Sequence, residues 1–177
     1  MTKLSNRSKY EHREAKVVQV LKQCCNLLEQ KKLTIAFIES ASSGYLSSQF
    51  SIYKHSGADI LLGGLVSYDP SIKCEILKIN PALIQQYTAE SIEVTEAMAL
   101  HGHRLFRHAD IIVSCTGLLK PGGSATPEKP EGTFYIAIHY QNSLSTYHYL
   151  LLGTALERLD QLTKNVAQMV IERVQNA

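Results

Sequence analysis

Val17, Leu21, Cys24 and Leu28, with Val18 and Cys25 beside them, recur at alternating four- and three-residue intervals. That period predicts an amphipathic helix over residues 9–31. The mixed polar start, residues 1–8, reads as a solvated lead-in, with disorder an open alternative. The period then changes. LTIAFIE (33–39) and ADILLGGLVSY (58–68) are β-branched and aliphatic runs of strand length, the second preceded by the turn signal HSG. Residues 43–53 are too polar for a core strand and predict a short helix, which makes a β-α-β unit with a right-handed crossover.

Beyond Tyr68, the segment DPSIKCEILKI predicts a helix with Asp69 as N-cap and Pro70 in its first turn, and NPALIQQY repeats the device with Asn80 and Pro81. SIEVTEAMALHGHRLFRH starts from Ser91 and places Val94, Met98, Leu105 and Phe106 at helical spacing. ADIIVSCTG reads as a strand and KPGGSATPEKPEG as a loop. TFYIAIHY and STYHYLLLG read as a strand pair, and residues 156–175 as a closing helix. This order predicts an α/β fold: a three-layer α/β/α sandwich whose mostly parallel sheet carries an antiparallel strand pair near the C-terminus.

In such folds sites lie beyond the carboxyl ends of the strands. Three segments put polar residues there: Glu39 to Gly44, Ser67 to Lys73, and Thr116 to Gly132. They are expected to meet in one crevice. ESASSG, at a strand end entering a helix, offers hydroxyls and free N–H groups where an anion or developing oxyanion is favoured. Taken alone, Ser42 or Ser43 as a helix cap and Ser40 as a small strand-end residue account for it better. Lys73, if desolvated near that turn, would lose its proton close to neutral pH and activate a serine, with Tyr68 relaying or orienting the proton. Singly, a snorkelling surface lysine and a half-buried strand aromatic are the better readings of those two residues.

Composition narrows the classes. The 177 residues predict one domain over 1–177, and 45% hydrophobic with 19% charged residues is ordinary for a globular protein. A net charge of +2 without a basic stripe gives no reason to expect a nucleic-acid partner. Cys24, Cys25, Cys74 and Cys115 lack C-x-x-C spacing, so a reduced, cytoplasmic setting is expected, with no metal. His101 and His103 on a helix point to different faces and also argue against a metal. No run approaches the roughly 18 apolar residues that span a bilayer, so no membrane association is expected. Neither G-K-[ST] nor G-x-G-x-x-G is in place, which removes the P-loop and Rossmann classes; no cofactor is expected. Tyr135, Tyr140, Tyr147 and Tyr149 on the strand pair are read as a subunit contact.

Three ordered segments carry a family resemblance. Glu39-Ser40-Ala41-Ser42-Ser43-Gly44 resembles the motif E-S-C-T-G-G, and GLVSYDPSIK (64–73) resembles G-x-V-x-Y-S-N-x-x-K. TGLLKPGGSATPEKPEGT (116–133) resembles T-G-I-A-G-P-G-G followed by P-E-K-P-x-G-T. These are motifs of the CinA C-terminal domain family, whose stand-alone members include the PncC-type nicotinamide mononucleotide deamidases, and the resemblance covers nearly the whole chain. It implies metal-independent hydrolysis of the nicotinamide carboxamide, giving nicotinic acid mononucleotide and ammonia, by a homo-oligomer (dimer or higher) in pyridine nucleotide salvage.

Carried residue by residue, the resemblance makes Ser40 the nucleophile, Lys73 the base and Tyr68 its hydrogen-bonding partner. Ser42, Ser43 and Gly44 would hold the oxyanion or the ligand, and Thr116, Gly117, Gly122 and Gly123 would line the nucleotide pocket. Glu39 would order the loop as a hydrogen-bond acceptor or take part directly. The chain departs from the pattern at Ala41, Ser42 and Ser43, at Leu119 and Lys120, and at Gly153-Thr154-Ala155, which stands where the family carries G-D-R; Arg158 is the arginine nearby. A hydrolase of another small amide and a non-catalytic ligand-binding or interaction domain therefore stand as alternatives.

Overall fold

The computed structural model describes residues 2–53, 60–122 and 124–177, with side chains from residue 16 onward. The HSG turn signal, the first residues of ADILLGGLVSY, and Gly123 lie outside the described residues.

Helix α1 (Thr2–Lys31) begins earlier than the 9–31 expected from periodicity, and the lead-in is helical from Thr2. No glycine or proline interrupts residues 2–31, so nothing in the backbone stops the helix from running back. Strand β1 (Ile35–Glu39), helix α2 (Tyr45–Tyr53) and strand β2 (Leu61–Val66) form the expected unit, with β1 and β2 parallel. Helices α3 (Pro70–Glu75) and α4 (Pro81–Tyr87) follow. Asp69 and Asn80 cap them as the sequence indicated, each side chain accepting from the N–H two residues on: Ser71 at 2.8 Å and Ala82 at 3.0 Å.

Helix α5 (Ile92–Leu105) is capped by Ser91, whose Oγ accepts from Val94 N–H at 3.2 Å. Val94 and Met98 are buried in this helix as expected, whereas Leu105 is exposed, because the helix turns that position away from the sheet as it ends. Strands β3 (Ile111–Gly117), β4 (Thr133–Tyr140) and β5 (Ser143–Leu150) and helix α6 (Ala155–Gln175) complete the chain. Thr154 caps α6 in a capping box: its Oγ1 accepts from Glu157 N–H at 3.3 Å, and Glu157 Oε2 accepts from Thr154 N–H at 2.8 Å.

The sheet order is β2-β1-β3-β4-β5, with β1 parallel to both β2 and β3, and β4 antiparallel to both β3 and β5. Side chains alternate across it, as the two-residue strand period requires. Ile35, Phe37, Val113, Cys115, Phe134, Ile136 and Ile138 face a core shared with α1, α2 and α6. Ala36, Ile38, Ile112 and Ala137 face a smaller core beneath α5, together with Leu77 and Ile79. Small residues in that second layer let α5 come close. At Gly102 a Cβ would stand 2.5 Å from Ile38 Cγ1, so only glycine fits there.

Tyr140 is buried in the larger core, and Tyr147 and Tyr149 pack against it, with Tyr149 Oη 3.7 Å from Met169 Sδ. Tyr135 stacks on His148 with ring centroids 4.9 Å apart. Among the described residues, no helix is long and apolar enough to cross a membrane.

Candidate active site

The chain leaves β1 toward β2 on one side, and β3 then enters on the other, so the strand order reverses between β1 and β3. Such a reversal opens a crevice at the carboxyl ends of the strands. Ser40 sits at its floor, just past β1, and its N–H donates to Cys115 O on β3 at 3.1 Å. A cleft of about 330 Å³ opens above it, lined by Ser40, Ala41, Ser43, Tyr68 and Glu90 on one part of its wall and by residues 117–122 on the rest. The three polar segments do meet in one crevice.

Lys73 reaches Ser40 from α3. Its Nζ lies 3.0 Å from Ser40 Oγ and also donates to the main-chain oxygen of Ser67. Lys73 has no exposed surface and Ser40 retains 6%, so the lysine lies under the serine rather than in the cleft wall. Two bonds fix the Ser67 carbonyl over it: Ser67 N–H and Oγ donate to Glu39 O at 2.7 and 3.3 Å, tying the end of β2 to the end of β1. Burial pushes the Lys73 ammonium below its ordinary pKa, against upward pulls from Glu90, Cys115, Asp69 and Cys74. A lysine so placed is closer to the neutral amine, which takes a proton from a hydroxyl beside it.

Glu39 is buried completely and serves the loop. Its Oε1 accepts from Ser47 N–H at 2.8 Å and Ser47 Oγ at 2.6 Å; its Oε2 accepts from Leu46 N–H at 3.1 Å and Ser42 Oγ at 2.7 Å. The carboxylate thus occupies the N-terminus of α2, a favourable place for negative charge. Glu39 thereby takes up the Leu46 and Ser47 N–H groups in the first turn of α2, so those two are not free for an oxyanion. Ser43 N–H is also used, donating to Ser40 O at 3.0 Å. Ser43 and Gly44 adopt φ of 50° and 88°, and this left-handed pair makes the sharp turn between Ser40 and α2.

Several residues expected at the ligand lie elsewhere. Ser42 turns inward, with its Oγ 3.0 Å from Cys115 Sγ, and Thr116 Oγ1 lies 2.7 Å from Thr95 Oγ1 behind the wall. Both are buried and satisfied within the protein, and neither lines the cleft. Gly44 does not line it either, whereas Ser43, Gly117 and Gly122 do. Tyr68 lines the cleft but is 67% exposed at its mouth, and among the described residues no hydrogen bond joins it to Lys73 or Ser40.

Arg158, the arginine near the altered C-terminal motif, is a clamp. It pairs with Glu131 and donates to Leu119 O at 2.8 Å and Leu151 O at 3.2 Å, fixing the loop that carries Leu119 and Lys120. Burial and the Glu39 carboxylate raise the Cys115 thiol to about 12, so it is no nucleophile despite its place beside the site. Glu90 lines the cleft and was missed in the sequence. It directly precedes the cap Ser91 and carries no motif of its own, so only its position in space reveals it. No group of three or more metal-ligating side chains is present among the described residues.

Residues 17–174 match the family model of the CinA C-terminal domain. A CinA-like protein of Chlorobaculum tepidum is 42% identical over 113 residues, covering 64% of this chain and 26% of that protein. A CinA-like protein of Thermotoga neapolitana is 32% identical over 150 residues, covering 80% of this chain and 36% of that protein. The chain thus spans about a third or less of the length of these relatives. The crystal structure of a CinA superfamily protein from Klebsiella pneumoniae superposes with a TM-score of 0.84 at 17% identity, over 91% of this chain and 99% of that one. At that identity the likeness concerns the fold.

Proposed function

Since the chain belongs to the CinA C-terminal domain family, we propose that it is a metal-independent amidohydrolase of the nicotinamide mononucleotide deamidase type, with Ser40 as nucleophile and Lys73 as general base. The observation that carries this reading is the buried Lys73 Nζ at 3.0 Å from a Ser40 Oγ that faces the cleft.

In the neutral lysine the bond direction reverses, and Ser40 Oγ–H donates to Nζ. Oγ attacks the carboxamide carbon while its proton passes to Lys73. The tetrahedral intermediate expels ammonia as Lys73 returns that proton to the leaving nitrogen, leaving an ester on Ser40. Water then attacks the ester, giving one proton to Lys73, which passes it to Ser40 Oγ as the C–O bond breaks, so the acid departs with the serine hydroxyl and the neutral amine restored. The Ser67 carbonyl holds the amine in line throughout. Ser43 and Tyr68, which line the cleft, supply hydroxyls to the substrate, and the exposed Lys120 suits its phosphate.

A second reading rests on size. The cleft, about 330 Å³, lies near the lower limit of small-molecule sites, about 300–1,000 Å³. Leu119 and Lys120 stand in its wall where the family motif has small residues, which favours a smaller carboxamide handled by the same dyad. The test is ammonia release from nicotinamide mononucleotide without metal, by the wild type and Ser40→Ala side by side. Turnover lost in the variant is the expected result. A wild type that releases no ammonia, yet is labelled at Ser40 by an acylating probe, would move the assignment to the second reading. Neither turnover nor labelling would sink both.

A further inference from the structure

Glu90 is the acidic side chain in the wall of the Ser40 cleft among the described residues, and it is braced there. Ser124 Oγ donates to its Oε2. Lys129 Nζ donates to Ser124 Oγ at 3.1 Å, to the Glu90 main-chain oxygen at 3.1 Å and to Thr88 Oγ1 at 2.8 Å. The carboxylate is therefore tied to the loop that forms the rest of the cleft wall.

A negative charge in this place opposes acyl transfer. The reaction builds an anion on the carbonyl oxygen, and a second anion in the same cleft raises the barrier. Glu90 also leads the groups that hold a proton on Lys73, ahead of Cys115, Asp69 and Cys74. Both effects weaken when the bound molecule itself carries a positive charge beside its carboxamide. Lys120, the basic residue in the same wall, is exposed and screened by solvent, whereas Glu90 is half-buried.

Resting on the serine amidohydrolase reading above, we propose that Glu90 is the specificity-determining residue of this cleft and selects carboxamides carried on a cationic heteroaromatic ring, such as a pyridinium, over neutral ones.

The test uses Ser40→Ala protein, which binds without turnover, and calorimetric titration with 1-methylnicotinamide, which is cationic, and nicotinamide, which is neutral and shares the ring and carboxamide. The expected preference for the cation is about tenfold, the scale of one charge pair at short range in a partly solvated site. Adding Glu90→Gln should bring the ratio to about one, while Glu90→Asp retains part of it; glutamine keeps an acceptor for Ser124, so an unchanged melting temperature accompanies the loss. Equal affinity for the two molecules, no detectable binding of either, or a preference that survives Glu90→Gln would overturn the proposal. Ammonia release by the wild type reports separately: a charge preference lost in Glu90→Gln, with no turnover of any carboxamide, supports the role of Glu90 and removes the hydrolase reading.

Discussion

Lys73 Nζ lies 3.0 Å from Ser40 Oγ, although the two residues are 33 positions apart and belong to different secondary-structure elements. The lysine arrives from the end of α3 and the serine from the end of β1, and the Ser67 carbonyl pins the amine between them. A buried lysine without an acidic partner in contact costs stability, and such costs concentrate where chemistry requires them.

The first prediction concerns rate and pH. A general base works in its neutral form, so turnover should rise with pH through an apparent pKa below the ordinary lysine value, in the direction burial imposes. Lys73→Met should lower kcat by about 10²–10⁴-fold and abolish that limb. A pH series of ammonia release between pH 6 and about 10 checks both. An unshifted limb in Lys73→Met would remove the lysine from the mechanism.

The same residue links stability to pH, with a defined sign. The folded pKa of Lys73 is lowered, so between the folded and unfolded values the unfolded chain binds more protons, and folding stability rises with pH. The wild type should therefore gain on Lys73→Met as pH is raised from neutrality toward the unfolded lysine pKa, about 10.4. Urea unfolding of both proteins at neutral and alkaline pH measures the gap. A gap that is constant or moves the other way contradicts the burial cause.

Glu39 accepts four hydrogen bonds at the start of α2. Glu39→Ala would strand two buried N–H groups and two hydroxyls at a helix end, and should cost about 3 kcal/mol of folding stability. Denaturant unfolding reads this directly. A loss under about 0.5 kcal/mol would mean that water replaces the carboxylate and that the loop does not depend on it.

Thiol chemistry separates position from reactivity. Cys115 is buried and raised to about 12, and Cys24 and Cys25 are buried in the larger core, while Cys74 is half-buried on α3. Iodoacetamide under native conditions at about pH 8 should modify Cys74 and spare Cys115, as peptide mass mapping will show. Rapid labelling of Cys115 would place it in contact with the cleft.

Local signals were legible because they act over a few residues. Asp69-Pro70 and Asn80-Pro81 start helices by capping and by a fixed proline φ, Ser91 does so by its hydroxyl, and TFYIAIHY forms a strand over its full length. Ser40 and Lys73 were legible through the motifs that carry them, and the alternation of strands and helices determined an α/β fold. Tertiary structure decided what each polar residue at the strand ends faces. Ser42 meets Cys115 from 73 positions away, Thr116 meets Thr95, and Glu90 is held by Ser124 from 34 positions away. Spacing along a chain states which residues can share a face of one element, but which face lines a cleft is set by the neighbouring strand and loop that close it. For the same reason Glu39 belongs to the scaffold, Tyr68 stands at the mouth, and Glu90 enters the wall without a motif to announce it.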